Sequence, residues 1–431
     1  MVRRVKGSGS GTLETKARIW TLATAVCLVP FIATSCGDDG SESSSSADDE
    51  GAGGSPEVDD SDDNTPSNTT PRDDDETSAS DDTEATENED TDEPVTTGID
   101  PTNDDETEPD VTETDMEPGV SGACGNAEGQ LFPPDAPWNT NIAGAELDAE
   151  SDAIIDYLSN NHDTGTRFQI DFSFRVLQAD ADTERVPFNP TDDYYEGDCD
   201  PAPVPVPDTG GIEGESSFAC ESDGDCHLIV VQQSECRLYE MWRADIRDGQ
   251  FNGGCQAVWD IDRVYGPEGR GDFCTSADAA GLPITPLLFS ADEVFAGEIR
   301  HALRFILPNE HIRQNIFVRP GTHSTSATSG PDDAPPYTAR LRLKADTDLS
   351  GLSSGAQVVA RALQEYGMFL ADGGNLTFTG QSDQDTEHSW DDAELTPQDL
   401  KGLAWSDFEV VELGERIDYG SGSCERTPVE D

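Results

Sequence analysis

The chain has 431 residues, of which 90 are Asp or Glu and only 25 are Lys or Arg, so its formal net charge is −65. This balance argues against nucleic acids and anionic lipid surfaces as partners, because both are bound through clustered basic side chains that displace counterions. The acidic residues are spread unevenly, and their distribution divides the chain into three parts.

The first part, residues 1–35, has the pattern of an export signal. Its start is basic as far as Arg18, and residues 19–33 are almost uncharged and mostly apolar. About 15 apolar residues are too few for a helix that spans a bilayer, whereas this arrangement is typical of a secretory signal peptide. Residues 33–36 read Ala-Thr-Ser-Cys and resemble the bacterial lipobox, where signal peptidase II cuts before a cysteine that receives acyl chains.

This resemblance implies that Cys36 is lipidated and anchors the mature chain to a bacterial membrane. Gly37 and Asp38, which follow it, favour the outer membrane. Acyl chains contribute about 0.8 kcal/mol per buried CH₂ to such binding. The alternative is an ordinary secretory signal, with Cys36 free or disulfide-bonded.

The second part, residues 36–120, is predicted to be a disordered acidic tether. After Cys36 it holds 32 Asp and Glu against the single base Arg72, interleaved with Ser, Thr, Pro and Gly. Such a composition buries too little apolar surface to offset the entropy of ordering the chain. A coil of this length spans roughly 50 Å or more. Cation buffering or partner binding by the acidic side chains is the alternative role.

The third part, residues 121–431, is predicted to be an extracytoplasmic domain. It contains eight of the ten cysteines, and an even number in an exported chain implies up to four disulfides. Cys124 and Cys424 bracket the domain and are candidates to close it. The eight cysteines form no CxxC pair, and the chain has no P-loop, GxGxxG or HExxH motif. We therefore expect no metal and no cofactor.

Most of the elements recognisable in this domain are strands. Residues 167–177 and 298–307 alternate between apolar and polar, with Arg304 and Phe305 on opposite faces of the second segment. Residues 227–242 form two apolar runs around a polar break, which predicts a β-hairpin. Further short strands are predicted at residues 339–345, 375–381 and 408–413.

Helices are predicted in three places, one of them a short helix that starts at Thr396 and Pro397. A capping box from Ser290 to Glu293 starts a short helix. Apolar residues at 3.6-residue spacing predict a longer helix over residues 354–371, ended by Gly373 and Gly374. These elements predict a β-rich α+β fold, a β-sandwich or jelly-roll-like core with a few helices at its margin.

Five segments of this domain, in one order, resemble an uncharacterised family of secreted bacterial proteins. They read IEG (212–214), GDCHLIVVQQSECRLYEMW (224–242), TSADAAGLPITPLL (275–288), GEIRHALRF (297–305) and YGMFLADGG (366–374). The resemblance covers roughly residues 187–411. It implies a single folded unit in an extracytoplasmic setting, and it implies no reaction.

The hairpin places two candidate functional residues close together. A two-residue turn at Gln233 and Ser234 pairs His227 with Glu240 across the ladder, near enough for a carboxylate to orient an imidazole. A three-residue turn moves every pair by one, and the sequence leaves both turns open. A histidine packed in the sheet with a hydrogen-bonded ring nitrogen is the alternative reading of His227.

The hairpin also restricts the disulfides. A short turn puts Cys226 and Cys236 about 16 Å apart, beyond the reach of a disulfide. The expected partners are Cys220 or Cys199 for Cys226, and Cys255 or Cys274 for Cys236.

Further polar candidates occur near the hairpin and in the other segments of the resemblance. We predict that Glu213, Asp225, His227 and Glu240 share one concave surface, because Asp225 has the strand parity of His227 and a proline-rich arm (200–214) leads to Glu213. His301 or His323 is expected to join them. The alternative interpretation of His301 is a side chain packed in the core, since it shares its strand face with apolar residues. Ser276, Asp278 and Glu298 complete the set.

Two functions fit these features. The first is a membrane-anchored surface lipoprotein whose domain binds an extracellular ligand, a polysaccharide or an envelope partner. The second is a polysaccharide-degrading enzyme, a glycoside hydrolase or a lyase, that uses these carboxylate and histidine groups as catalytic residues.

Overall fold

A computed structural model describes Cys124 and residues 130–161, 168–222, 224–375 and 377–430. The predicted signal peptide (1–35), Cys36 and the predicted tether (36–120) lie outside the described residues. Within the described ranges, no helix combines the length and the apolar character needed to cross a bilayer.

Strands make up most of the regular structure. The α-helices of the described residues are α1 (Ser151–Asn160), α2 (Ala291–Ala296) and α3 (Ser354–Glu365). The strands are β1 (Ile170–Phe174), β2 (Val176–Gln178), β3 (Arg185–Val186), β4 (Asn189–Pro190), β5 (Val204–Pro205), β6 (Leu228–Gln232), β7 (Arg237–Trp242), β8 (Asp245–Arg247), β9 (Gln250–Gly253), β10 (Cys255–Asp260), β11 (Leu303–Leu307), β12 (Ile316–Phe317), β13 (Arg340–Leu343), β14 (Met368–Gly373), β15 (Thr377–Gln381), β16 (Phe408–Val410) and β17 (Ile417–Asp418).

Two sheets organise the fold. One has six strands in the order β1-β15-β11-β14-β13-β16, and the other has four in the order β10-β7-β6-β2. Both are mixed, because β1 runs parallel to β15, β11 to β14 and β2 to β6, while the remaining pairs are antiparallel. The predicted β-rich α+β class is confirmed. The parallel pairs nevertheless differ from the antiparallel strands of a jelly roll.

The two sheets share one hydrophobic core. Phe305 and Phe378 of the six-stranded sheet and Ile229 and Trp259 of the four-stranded sheet are buried in the same cluster. Alternate residues of the four-stranded sheet, such as Val230, point into a second cluster on its other face. Both faces of β6 are therefore covered, which explains its continuous apolar run.

The hairpin predicted over residues 227–242 is present, but its register was wrong. Residues 233–235 form a 3₁₀ turn and Cys236 adopts a left-handed conformation (φ 52°), so four residues separate β6 from β7. Glu240 consequently pairs with Ile229 and not with His227. The shift is two residues, and a period of two keeps His227 and Glu240 on the same face of the sheet.

Two element boundaries also differ from expectation. The helix predicted over residues 354–371 ends at Glu365, because Gly367 takes a left-handed conformation (φ 69°) and the following apolar run forms β14 in the centre of the sheet. The strand predicted over residues 298–307 begins only at Leu303. The capping box of Ser290 and Glu293 is confirmed at the start of α2.

All eight cysteines of the domain form disulfides, which join Cys124 to Cys236, Cys199 to Cys255, Cys220 to Cys226 and Cys274 to Cys424. The predicted pairing of Cys226 with Cys220 is confirmed. The closure of Cys124 onto Cys424 and both partners expected for Cys236 were wrong, because Cys124 reaches the turn of the hairpin. Four disulfides are compatible with an oxidising, extracytoplasmic compartment.

Candidate functional site

A cleft of about 650 Å³ lies at one end of the four-stranded sheet, beside the carboxyl end of β14. Its walls come from the loop of residues 275–279, from residues around His323 and from the C-terminal segment of residues 419–424. Its carboxylate and aromatic lining residues are Asp198, Asp225, Asp278, Asp372, Tyr195, Trp242, Phe273 and Tyr419. We call this the cleft.

The loop of residues 275–279 is held tightly from within. The Ser276 hydroxyl donates to the Leu282 carbonyl (2.6 Å) and accepts from the Asp278 amide (3.0 Å). Gly281 has φ +76°, and a Cβ there would lie 2.1 Å from the Thr322 hydroxyl. The small residues of TSADAAGLP therefore serve close packing, and this packing fixes one wall of the cleft.

His227 supports that wall from behind. Its side chain is 2% exposed, its Nδ1 lies 2.6 Å from the Glu213 carboxylate, and its Nε2 lies 3.0 Å from the Ala277 carbonyl. Burial favours the neutral ring, but the Glu213 charge outweighs it and raises the pKa of His227 to about 9. Both ring nitrogens therefore donate hydrogen bonds, and the imidazolium positions the cleft loop.

A buried arginine lies between two carboxylates of the cleft. Arg304 is 3% exposed and donates two hydrogen bonds to Asp278 (2.9 and 3.2 Å) and one to Asp372 (3.2 Å). Asp278 is fully buried, whereas the Asp372 side chain keeps 24% of its exposure. One guanidinium therefore binds two carboxylates, and it donates more hydrogen bonds to Asp278 than to Asp372.

The electrostatics of Asp372 follow from this competition. Burial and then the neighbouring Asp278 raise the pKa of Asp372 to about 7, although Arg304 opposes the rise. Asp225 acts in the same direction as Asp278. Asp372 is therefore a cleft carboxyl that is substantially protonated near neutral pH.

His323 joins the loop to the C-terminal segment. Its Nδ1 donates to the Ala279 carbonyl (2.7 Å) and its Nε2 accepts from the Tyr419 hydroxyl (3.0 Å). Burial lowers the pKa of His323, which agrees with this neutral tautomer. Neither ring nitrogen is left to exchange a proton with a ligand.

The C-terminal segment is itself fastened to the domain. Arg270 and Arg426 both bind the fully buried Asp200 carboxylate, which also accepts from the Val429 amide (2.6 Å). The disulfide between Cys274 and Cys424 adds a covalent link beside the cleft. The wall that carries Tyr419 is therefore part of the folded unit.

The structure brings together only part of the predicted site. Asp225 and His323 line the cleft, and Glu213 reaches His227 behind its wall as the proline-rich arm predicted. Glu240 is fully buried away from the cleft, where its carboxylate accepts from Trp259 and from Ile284 and Thr285. Its pKa is raised by burial.

His301 is also away from the cleft. It lies in a separate groove, where its Nε2 is 3.1 Å from the Glu293 carboxylate and its Nδ1 is 2.8 Å from the Ala302 carbonyl. Burial opposes ionisation, but Glu293 outweighs it and raises the pKa of His301. Glu298 lies on the same groove and pairs with Arg300 at its surface.

Sequence reasoning missed the residues that distinguish the cleft, namely Asp372, Arg304 and Trp242. Asp372 was missed because the helix was predicted to extend over residues 354–371. Asp372 then lay just beyond the end of a helix, and nothing in the sequence assigned it a function. The alternation of β11 placed Arg304 opposite Phe305 but did not identify its partners. A charged residue inside an apolar strand was the available signal, since buried charges are usually paired.

The described residues contain one group with metal-ligand spacing, Asp198 with the sulfurs of Cys274 and Cys424. Those sulfurs are bonded to each other, so they offer no thiolate to an ion.

No family model matches the chain, and the searches of curated proteins and of solved structures also found no match.

Proposed function

We propose that the domain binds a saccharide in the cleft. The observation that carries this proposal is the presence of aromatic rings (Trp242 and Tyr419) and carboxylates (Asp225 and Asp372) on the walls of one hollow. Aromatic rings pack on the C–H faces of sugars, and carboxylates accept hydrogen bonds from their hydroxyl groups. Concave sites with a few polar groups among apolar ones are typical of small-ligand binding.

The charge of the cleft narrows the class of saccharide. Four Asp residues line it, and Arg304 is bound to only two of them, Asp278 and Asp372. An acidic sugar would be repelled, and the imidazolium of His227 is too deeply buried to hold one. We therefore propose a neutral polysaccharide as the ligand.

The same proposal includes the membrane. We propose that Cys36 carries lipid and that residues 36–120 hold the domain away from a bacterial outer membrane. The signal-like residues 1–35 and the acidic composition that follows support this arrangement. After Cys36→Ala, the protein should remain as unprocessed precursor or leave the membrane fraction. A Cys36→Ala protein that stays membrane-bound at the mature size would contradict lipidation.

Binding is tested by affinity electrophoresis in gels that contain neutral polysaccharides such as β-glucan, mannan, xylan, arabinan or dextran. We expect at least one to retard the protein, and Tyr419→Ala to weaken that retardation about tenfold. Phe295→Ala is the matched control, because Phe295 is an exposed aromatic residue outside the cleft (53% exposed). Absence of retardation in every gel, or equal effects of the two variants, would refute the proposal.

A further inference from the structure

The two carboxylates on Arg304 differ in what they offer a ligand. Asp278 is fully buried and takes two hydrogen bonds from the guanidinium. Asp372 accepts one hydrogen bond from the guanidinium, from the Nη2 atom that also binds Asp278, and its Oδ1 accepts another from the Gly373 amide (2.7 Å). Its side chain remains partly exposed on the cleft wall. One positive charge cannot neutralise two acids, so the less tightly held acid is the one that keeps a proton.

Asp225 provides a second carboxyl group in the same cleft. Asp225 is exposed, and its Oδ1 accepts a hydrogen bond from the Trp242 indole N–H at 2.9 Å. No hydrogen bond or ion pair to its Oδ2 is found among the described residues. The cleft thus combines a carboxyl held beside a like charge with a carboxylate in a more solvated setting.

We propose that the cleft hydrolyses glycosidic bonds, with Asp372 as the proton donor and Asp225 as the base. This inference rests on the proposed function, because it takes the bound saccharide to be the substrate. Paired carboxyl groups in these two roles are the common chemistry of glycoside hydrolysis.

The reaction is a balanced addition of water. Asp372 gives its proton to the bridging oxygen while the bond from that oxygen to the anomeric carbon breaks. Water adds to the anomeric carbon, and its proton passes to the Asp225 carboxylate. Exchange of one proton with solvent then returns both carboxyl groups to their starting states, and no oxidant or reductant is needed.

Two histidines near the cleft and the buried Asp278 are unsuited to donate the proton. His227 is almost fully buried and both its nitrogens are engaged. His323 is neutral and also bonded at both nitrogens. Asp278 is fully enclosed. The raised pKa of Asp372, about 7, agrees with its role, since an acid that works near neutral pH needs such a value.

The test uses the full-length protein and the polysaccharide that retards it in the affinity gels. Release of reducing ends is measured between pH 4 and pH 9. We expect wild-type release to fall as the pH rises through about 7, where Asp372 loses its proton. Asp372→Asn should still be retarded in the affinity gels but should release reducing ends at least about 100-fold more slowly, the usual contribution of a general acid.

Two further variants separate chemistry from folding. Asp278→Asn removes the repulsion on Asp372, so the falling limb of its pH profile should move to lower pH. Asp208→Asn changes an exposed acid outside the cleft and should match wild type. Thermal unfolding should show that Asp372→Asn remains folded.

Binding without release of reducing ends would overturn the hydrolytic inference and leave the proposed function intact. Equal rates for wild type and Asp372→Asn would overturn the role of Asp372. Failure of wild type to bind any of the polysaccharides would refute the proposed function, and this inference with it.

Discussion

Replacing His227 with Gln should cost stability mainly at acidic and neutral pH. The substitution removes the charge while retaining a side chain that can donate a hydrogen bond. The rise of the His227 pKa from 6.5 to about 9 corresponds to about 3 kcal/mol of folding free energy, at about 1.4 kcal/mol per pKa unit. Breaking a buried ion pair costs a similar amount, about 3–5 kcal/mol.

The pH dependence has a definite sign. Because the folded-state pKa is raised, the stabilisation is fully present below about pH 6.5 and is lost as the pH rises through 9. The free energy of unfolding, measured with urea and Trp fluorescence at pH 6 and pH 10, should therefore differ from wild type by about 3 kcal/mol at pH 6 and by much less at pH 10.

A surface pair provides the control for this measurement. His388 contacts Asp292 at 2.8 Å, but both side chains are about one-third exposed. His388→Gln should change the free energy of unfolding by less than about 1 kcal/mol, because exposed ion pairs contribute little. If His227→Gln were equally destabilising at pH 6 and pH 10, the buried imidazolium assigned to His227 would be wrong.

Two other substitutions test packing inside the domain by thermal and urea unfolding. Glu240→Gln should lower the free energy of unfolding by about 3 kcal/mol, because an amide nitrogen would replace one of the two buried carboxylate oxygens. Together these oxygens accept four hydrogen bonds, two of them from Thr285. An unchanged free energy of unfolding would contradict this account. Gly281→Ala should lower the free energy of unfolding by about 3 kcal/mol, because φ is +76° and the new Cβ would clash with Thr322. Gly197→Ala is the control, since φ is +97° but the space around it is open, and it should lower that free energy by only about 1 kcal/mol. Equal losses in the two variants would exclude the clash.

Local patterns predicted some elements well and others only in part. The capping box at Ser290 and the hairpin over residues 227–242 depend on residues close in sequence, so their signals were readable. The boundary between α3 and β14 was not, because apolar residues 368–371 fit both a helical face and a fully buried strand. Only the left-handed turn at Gly367 decides between them.

The candidate site was less predictable than the elements. Glu213 and His227 meet because the proline-rich arm returns to the hairpin, and proximity in sequence was enough to suggest it. Glu240 and His301 carry the same kinds of functional group, but the structure buries one and places the other in a different groove. Residue type alone could not separate these outcomes, since a buried carboxylate and a cleft carboxylate have the same chemistry.

Composition and periodicity alone established an acidic chain with a β-rich domain and enough cysteines for four disulfides, because these properties depend on residue counts and local spacing. The meeting of Arg304 with Asp278 and Asp372 was decided by tertiary structure, through the parallel pairing of β11 with β14 and the docking of the loop of residues 275–279. Arg304 is separated from these acids by 26 and 68 residues. Contacts over such separations depend on how the sheet and the loop pack together, and no local pattern encodes that arrangement.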